Sequence, residues 1–365
     1  MKNTFGNALG LTLFGESHGD VIGAVLDGIS PGIPVSEERI ARALALRRPA
    51  EAFATARRET DEFSVVSGVY RGKTTGGPLC ILIPNRNAEG KDYEKIASVP
   101  RPGTADETAW AKFHGFQDAR GGGHFSGRLT APLVAVGAVL QAALEEKGIV
   151  LASHILKMGA ASDRPLTPTE EELFRLRDLP FAVLEKNAEE AMRREAENAA
   201  REKDSIGGVV EGAVMGLPAG VGEPFFDTVE GVLSHAFFAV PAVKGVEFGA
   251  GFAAAGMRGS EHNDPYYCDK SGAARTRTNH CGGILGGITT GEPLLYRVAV
   301  KPVPSILSEQ ESFDRQTGEN IRFTLSGRHD ACLLPRARVV FDAVTAFCLS
   351  DLLLTRFGTD YFLNR

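Results

Sequence analysis

The sequence predicts an α+β fold made of two related halves, roughly residues 1–150 and 205–365, that share one core across a pseudo-twofold axis. Three matches in the same order carry this expectation. Gly23 to Ile33, a short apolar strand entering a Gly/Pro turn, resembles Gly212 to Val221 with one residue deleted. Gly72-Lys73-Thr74-Thr75-Gly76-Gly77-Pro78 matches Gly287-Ile288-Thr289-Thr290-Gly291-Glu292-Pro293, each running into β-type sequence, Leu79 to Ile83 and Leu294 to Val300. Ser126-Gly127-Arg128 recurs as Ser326-Gly327-Arg328, each time ahead of a long apolar helix candidate.

The elements follow in order. Ser36 precedes Glu37 and Glu38, a capping hydroxyl and an acidic first turn, so a helix opens there; Asp227 is placed to cap its counterpart. Leu129 to Glu145 reads as a helix. Between the halves, Glu185 to Lys203 is dense in Glu, Arg and Ala without Gly or Pro, which predicts an exposed helix supported by charge pairs three or four apart. Ala337 to Leu354 is far more apolar, so that helix is expected at the centre or at a subunit interface.

With 365 residues, 43% of them hydrophobic, the chain can bury a large core. Its formal charge of −6 is spread along the sequence, which argues against nucleic-acid or membrane partners and asks any small anionic ligand to find a local basic pocket. No window is read as an uninterrupted membrane span, and Met1 to Gly6 lacks the apolar core of a signal peptide, so a cytoplasmic location is expected. Cys80, Cys268, Cys281, Cys332 and Cys348 are odd in number and never spaced as C-x-x-C, which predicts reduced, mostly buried thiols.

Three stretches combine residues that packing does not require. Gly15-Glu16-Ser17-His18-Gly19-Asp20 presents an imidazole, suited to proton transfer near neutral pH, on a tight turn. In Arg120-Gly121-Gly122-Gly123-His124-Phe125-Ser126-Gly127-Arg128, successive glycines let backbone N–H groups converge on an anion, with Arg120 and Arg128 as forked donors. Gly327-Arg328-His329-Asp330 leads to Arg336 before the last helix; Asp330 could be held ionised as a base by its neighbours, and the same charges equally suit a buried structural network.

Two tempting signals fail. Three residues separate Gly68 from Gly72-Lys73-Thr74, one fewer than in a P-loop, and the matched copy has Ile288 for the lysine. Gly282-Gly283-Ile284-Leu285-Gly286-Gly287 lacks the strand–helix context of a dinucleotide fingerprint; it suits close backbone approach to a flat cofactor or a tight helix crossing.

Over nearly the whole chain these residues resemble the chorismate synthase family. The carriers are the GESHG stretch with Asp27-Gly28, Arg120-Gly-Gly-Gly with Ser126 and Arg128, Thr278 to Ile288, and Gly327-Arg328-His329-Asp330. The resemblance implies a layered β-α-β sandwich, with helices between antiparallel sheets, assembled as a homotetramer. It implies anti-1,4-elimination of phosphate from the polyanionic 5-enolpyruvylshikimate 3-phosphate to give chorismate. Reduced FMN is implied as the cofactor, delivered by a separate flavin reductase since no reducing domain is read in the chain. By matching position, His18 resembles the proton donor to the departing phosphate, and Asp330 the acid that works with the flavin to take the ring proton. Arg48, Arg128 and Arg336 are implied to bind substrate anions. Ser126, Ala242, Gly286, Lys301, Pro302, Val303, Pro304, Ser305 and Arg328 fall where the family contacts FMN; His124 and Phe125 are added from the residues themselves, by backbone or ring stacking.

The sequence also departs from the family. Thr104 stands where a second catalytic histidine is expected, and a hydroxyl is no proton source near neutral pH. His124 replaces an arginine, Leu129 a glutamate, and Phe53 lies near a lost arginine. His114 or His124 could supply the missing imidazole. A diverged relative that binds FMN or a phosphorylated ligand without turnover is the alternative function.

Overall fold

The computed structural model describes residues 2–48, 51, 53, 61–86, 98–325 and 330–363. One five-stranded sheet holds β1 (Thr4–Phe5), β2 (Gly10–Gly15), β3 (Val21–Asp27), β4 (Ser64–Ser67) and β5 (Leu79–Pro84), ordered β1-β2-β3-β5-β4. A second holds β6 (Val150–Met158), β7 (Ala161–Ser162), β8 (Gly208–Met215), β9 (Val243–Phe248) and β10 (Leu294–Val300), ordered β9-β10-β8-β6-β7. Neighbouring strands in both are antiparallel. Alternation along β3 buries Ile22, Ala24 and Leu26 completely, as a strand with one face on a core requires.

The helices are α1 (Glu37–Arg47), α2 (Asp106–Phe113), α3 (Thr130–Glu145), α4 (Glu170–Arg177), α5 (Lys186–Arg201), α6 (Val229–Ala239) and α7 (Leu334–Phe357). Helix α3 packs on β3 and β5, α7 on β6 and β8, and the two helices pack on each other, so a helical layer separates the sheets. Small residues make this crossing close: a Cβ on Gly137 would stand 2.3 Å from that of Ala343. The window Gly127–Glu145 is long and apolar enough to cross a membrane, against the expectation from sequence, but 83% of it is buried inside the molecule. Its apolarity serves two-sided burial in the core.

Ser36 caps α1 as expected, accepting from Arg39 N at 3.2 Å. Asp227 does not cap α6; Thr228 does, accepting from Gly231 N at 2.9 Å, because the helix starts one residue later than its acidic neighbour suggests. Helix α5 is exposed on one face and buries Ala188, Met192, Ala196 and Ala199 on the other. All five cysteines are free thiols; Cys332 and Cys348 are buried, Cys80 and Cys281 half-buried, Cys268 exposed.

The matched Thr-Thr-Gly segments prove to be turn anchors. Thr74 Oγ1 donates to Ser30 O (2.7 Å) and accepts from Ile33 N (2.9 Å). Thr289 Oγ1 donates to Pro218 O (2.7 Å) and accepts from Val221 N (2.9 Å). Gly282 approaches the Gly249 backbone, where a Cβ would fall 2.4 Å from the Gly249 nitrogen; loop packing, neither cofactor nor helix crossing, explains that glycine.

Two buried polar features tie the layers together. Asp351 on α7 accepts the N–H groups of Asn7 (3.0 Å) and Leu9 (2.7 Å), pinning the N-terminal segment. Across the second sheet His154, Glu211, Arg297 and Glu247 stand in register on four adjacent strands, alternating in charge. His154 Nε2 lies 3.0 Å from Glu211 Oε2 and Nδ1 lies 3.4 Å from Asp163 Oδ2.

Candidate active site

A cavity of about 1280 Å³ opens where the glycine turn at 121–127, the segment 99–106, the end of α6, Lys301 to Ser305 and the start of α7 converge. This exceeds the range of about 300–1,000 Å³ usual for a single small ligand.

The glycine turn is built from left-handed backbone: φ is 60° at Gly121, 91° at Gly122 and 52° at Gly123. Only glycine takes three such conformations in succession without steric cost. Ser17 N donates to Gly123 O at 3.0 Å, tying the turn to the GESHG stretch. His18 is buried and does not itself line the cavity; it lies directly behind Gly121, where a Cβ would fall 2.2 Å from its Cε1. Ser17, Gly121 and Gly122 form the wall in front of it. His124 does line the cavity, and its Nδ1 lies 2.9 Å from Gly15 O. A carbonyl only accepts, so Nδ1 carries the proton and Nε2 is left for a further partner.

The expected arginines divide by partner. Arg128, buried, donates Nε to Asn85 Oδ1 (3.0 Å) and pairs with Asp61. Arg336 pairs with Asp330, and both line the cavity, as does Arg48, whose buried Nε makes no hydrogen bond among the described residues. Arg120 is different from expectation: its fork is spent on Asp118 (Nε to Oδ1, 2.9 Å; Nη2 to Oδ2, 2.8 Å), half-exposed and off the cavity wall. That pairing holds the Asp118 carboxyl below its ordinary value, against the opposing pull of burial.

Ser126, Phe125, Ala242, Lys301, Val303, Pro304 and Ser305 all line the cavity. Pro302 lies between lining residues without reaching the wall itself, and Gly286, at the tip of a small hairpin (Ile284–Leu285 with Ile288–Thr289), does not reach it in this chain. Arg328 and His329 fall outside the described residues. Thr104 lines the cavity, but its hydroxyl is engaged: it donates to Arg101 O (2.8 Å) and accepts from Asp106 N (3.2 Å). His114 sits at the C-terminal end of α2 with φ 56° and is not on the wall. Leu129 lines the cavity, and Phe53 is buried in the core away from it.

Several wall residues were not anticipated from sequence. Arg101 makes a two-pronged pair with Asp106 (Nε 2.8 Å, Nη2 2.9 Å); burial alone would raise the Asp106 carboxyl, but Arg101 and Thr104 outweigh it and hold it below its usual value. Arg315 stacks over the Trp110 ring at 4.7 Å from a hairpin turn that reads as ordinary surface loop. Asp61 sits between Arg47 and Arg128 with its side chain almost wholly buried. Acids beside arginines carry no signal of burial in sequence, and this is why they were missed.

The donor set suits a phosphorylated flavin and an anionic partner. Leu129, Leu133, Val340, Val344 and Phe347 add apolar lining, while Lys301, Ser126, Arg48 and Arg128 supply cations and a hydroxyl. A Cβ added at Gly127 would meet nothing within 4 Å, so its backbone is open to a ligand.

Comparison with known proteins agrees with this geometry. A family model described as chorismate synthase matches residues 9–354. A chorismate synthase of Korarchaeum cryptofilum is 45% identical over 350 residues, 95% of this chain and 96% of that protein. Those of Thermococcus gammatolerans and Chitinophaga pinensis are each 46% identical, over 96% of this chain and 97% and 96% of theirs. A crystal structure of chorismate synthase superposes with a TM-score of 0.76 at 29% identity, covering 98% of this chain and 94% of that one. Matched in this way along nearly its whole length, the chain belongs to the chorismate synthase family.

Proposed function

We propose that this chain converts 5-enolpyruvylshikimate 3-phosphate to chorismate by 1,4-elimination of phosphate, with reduced FMN held in the same cavity. The observation that carries the reading is the convergence of the Gly121–Gly123 turn, Arg128 and the Asp330–Arg336 pair, from opposite ends of the polypeptide, on one cavity. When bound, reduced flavin supplies transient electron density that helps phosphate leave. The chain supplies the rest: orientation, charge neutralisation and proton handling.

Arg48, Arg128 and Arg336 bind the phosphate and carboxylates, for which guanidinium forks are suited. Asp330, ion-paired to Arg336, is the acceptor beside the substrate ring. His18 keeps the assignment of proton donor to the departing phosphate from the family resemblance, and His124 is the imidazole at the cavity face that stands in for the one absent at Thr104. Ser126, Ala242, Lys301 and Val303 to Ser305 hold the cofactor, with Pro302 shaping that segment; Gly286 and Arg328 keep the same assignment from the family resemblance. Assembly as a homotetramer would cover Phe225, Phe226 and Phe252, which are 87%, 93% and 84% exposed. A separate reductase delivers the reduced flavin. The recurrence of the Thr74 hydrogen bonds at Thr289, and of the β3–β5 pairing in β8–β10, supports an origin by duplication of one half.

The test is anaerobic incubation with substrate and chemically reduced FMN. Chorismate and phosphate released in equal amounts, dependent on the flavin, are expected; tight flavin binding without either product would favour a binding relative instead.

A further inference from the structure

Among the described residues, Asp61 is a carboxylate in the cavity wall placed between two arginines. Its side chain is 1% exposed, it pairs with Arg128, and its Oδ2 lies 3.6 Å from Arg47 Nη1. Oδ2 makes no hydrogen bond among the described residues, so the carboxylate is not saturated by structure. Arg47 is itself anchored, Nε to Thr130 Oγ1 (2.9 Å) and Nη2 to Gly127 O (2.7 Å), beside the glycine turn. Asp61 also has φ 48°, a left-handed conformation that aspartate and asparagine adopt more readily than other non-glycine residues.

These features do not add up to stability. A buried ion pair often contributes nothing over an apolar pair of the same volume. What the arrangement does is spatial. Two guanidinium groups at one wall repel each other in the absence of ligand, and a carboxylate between them keeps both cations at fixed positions. An anion then meets an Arg128 that is already oriented, and the entropy of ordering it has been lost on folding instead of on binding.

We infer that Asp61 is a positioning residue for the reaction: it presets Arg128 and Arg47 as a rigid cationic pair that receives an anionic group of the substrate. This rests on the proposed function for the identity of the substrate, but its test reads anion binding separately. Asp61→Asn is the informative variant, because asparagine tolerates left-handed backbone while removing the charge. Steady-state kinetics of the flavin-loaded enzyme should give KM raised about tenfold with kcat within about threefold, the mark of lost ground-state binding. Titration of the flavin-free protein with inorganic phosphate should show affinity weakened by a similar factor. Asp61→Glu keeps the charge but shifts it by a methylene, and should also raise KM.

An Asn variant with unchanged KM and phosphate affinity and only a lowered melting temperature would make Asp61 a structural residue and overturn the proposal. Tighter phosphate binding would also overturn it, since Asp61 would then merely compete with the ligand. If the Asn variant does not fold, the Glu variant decides by the same measurements; failure of both to fold assigns Asp61 to structure alone. Wild-type protein that binds phosphate but forms no chorismate would defeat the functional reading and leave this one to be decided by the phosphate titration.

Discussion

Gly121 and His18 are in such close contact that a methyl group on the glycine would fall 2.2 Å from the imidazole Cε1 and 2.4 Å from Nδ1. The glycine is therefore fixed by two demands at once, its φ of 60° and the ring behind it. Gly121→Ala should displace the imidazole or the turn by about 1 Å and lower kcat/KM about a hundredfold. The circular dichroism spectrum should stay native, because the change is confined to the wall; unchanged kcat/KM in a folded variant would remove His18 from the reaction.

His124 and His114 can be separated by one pair of variants. With Nδ1 fixed as donor to Gly15 O, His124 offers Nε2 to the cavity, whereas His114 lies off its wall. His124→Gln should lower kcat by about 10²–10⁴, the usual effect of removing a general acid or base. His114→Gln should leave kcat within about twofold. Comparable activity in both variants would assign the role to neither.

The charged row across the second sheet predicts a stability maximum bounded on both sides. Burial alone would lower the His154 pKa, but Asp163 and Glu211 reverse this and raise it. Burial alone would raise Glu211 and Asp163, but His154 and backbone N–H groups, with Arg297 also acting on Glu211, lower both. The raised histidine contributes stability that is full below its unfolded value and lost as pH rises through its folded value. The lowered carboxyls contribute above their unfolded values and lose it as pH falls through their folded ones. Urea unfolding across pH should therefore show a plateau that declines at either end, and His154→Gln should flatten the alkaline decline.

Gly137 tests the helical layer. Its missing Cβ would stand 2.3 Å from the Ala343 Cβ, so Gly137→Ala forces α3 and α7 apart. The expected loss is about 1–3 kcal/mol, typical of overpacking, despite the better helix propensity of alanine. A stabilised variant in thermal unfolding would contradict the close crossing.

The readability of this fold from sequence followed periodicity and turn chemistry. The apolar stretches became β3, α3 and α7, and Ser36 capped α1, because a hydroxyl before an acidic turn has one dominant use. Thr74 and Thr289 were visible as a repeated motif, but their function as turn anchors emerged only once Ile33 and Val221 were seen to donate to them. In the site, glycines and histidines were legible because their conformational freedom and titration single them out. Asp61, Asp106 and Arg315 were not, since a surface ion pair and one buried in a cavity wall are written in the same letters. Arg120 misled for the converse reason: nothing local announced that Asp118, two residues before it, would occupy its fork.

The bonds from Asn7 and Leu9 to Asp351 join residues separated by more than 340 positions. During synthesis the first strands emerge long before α7, and the carboxylate that pins them is made more than 340 residues after them. The sheet beside the GESHG stretch therefore stays unlocked until α7 has emerged. Folding should be limited by this late closure, and a nascent chain stalled before residue 351 should remain open to proteases and chaperones at its oldest end.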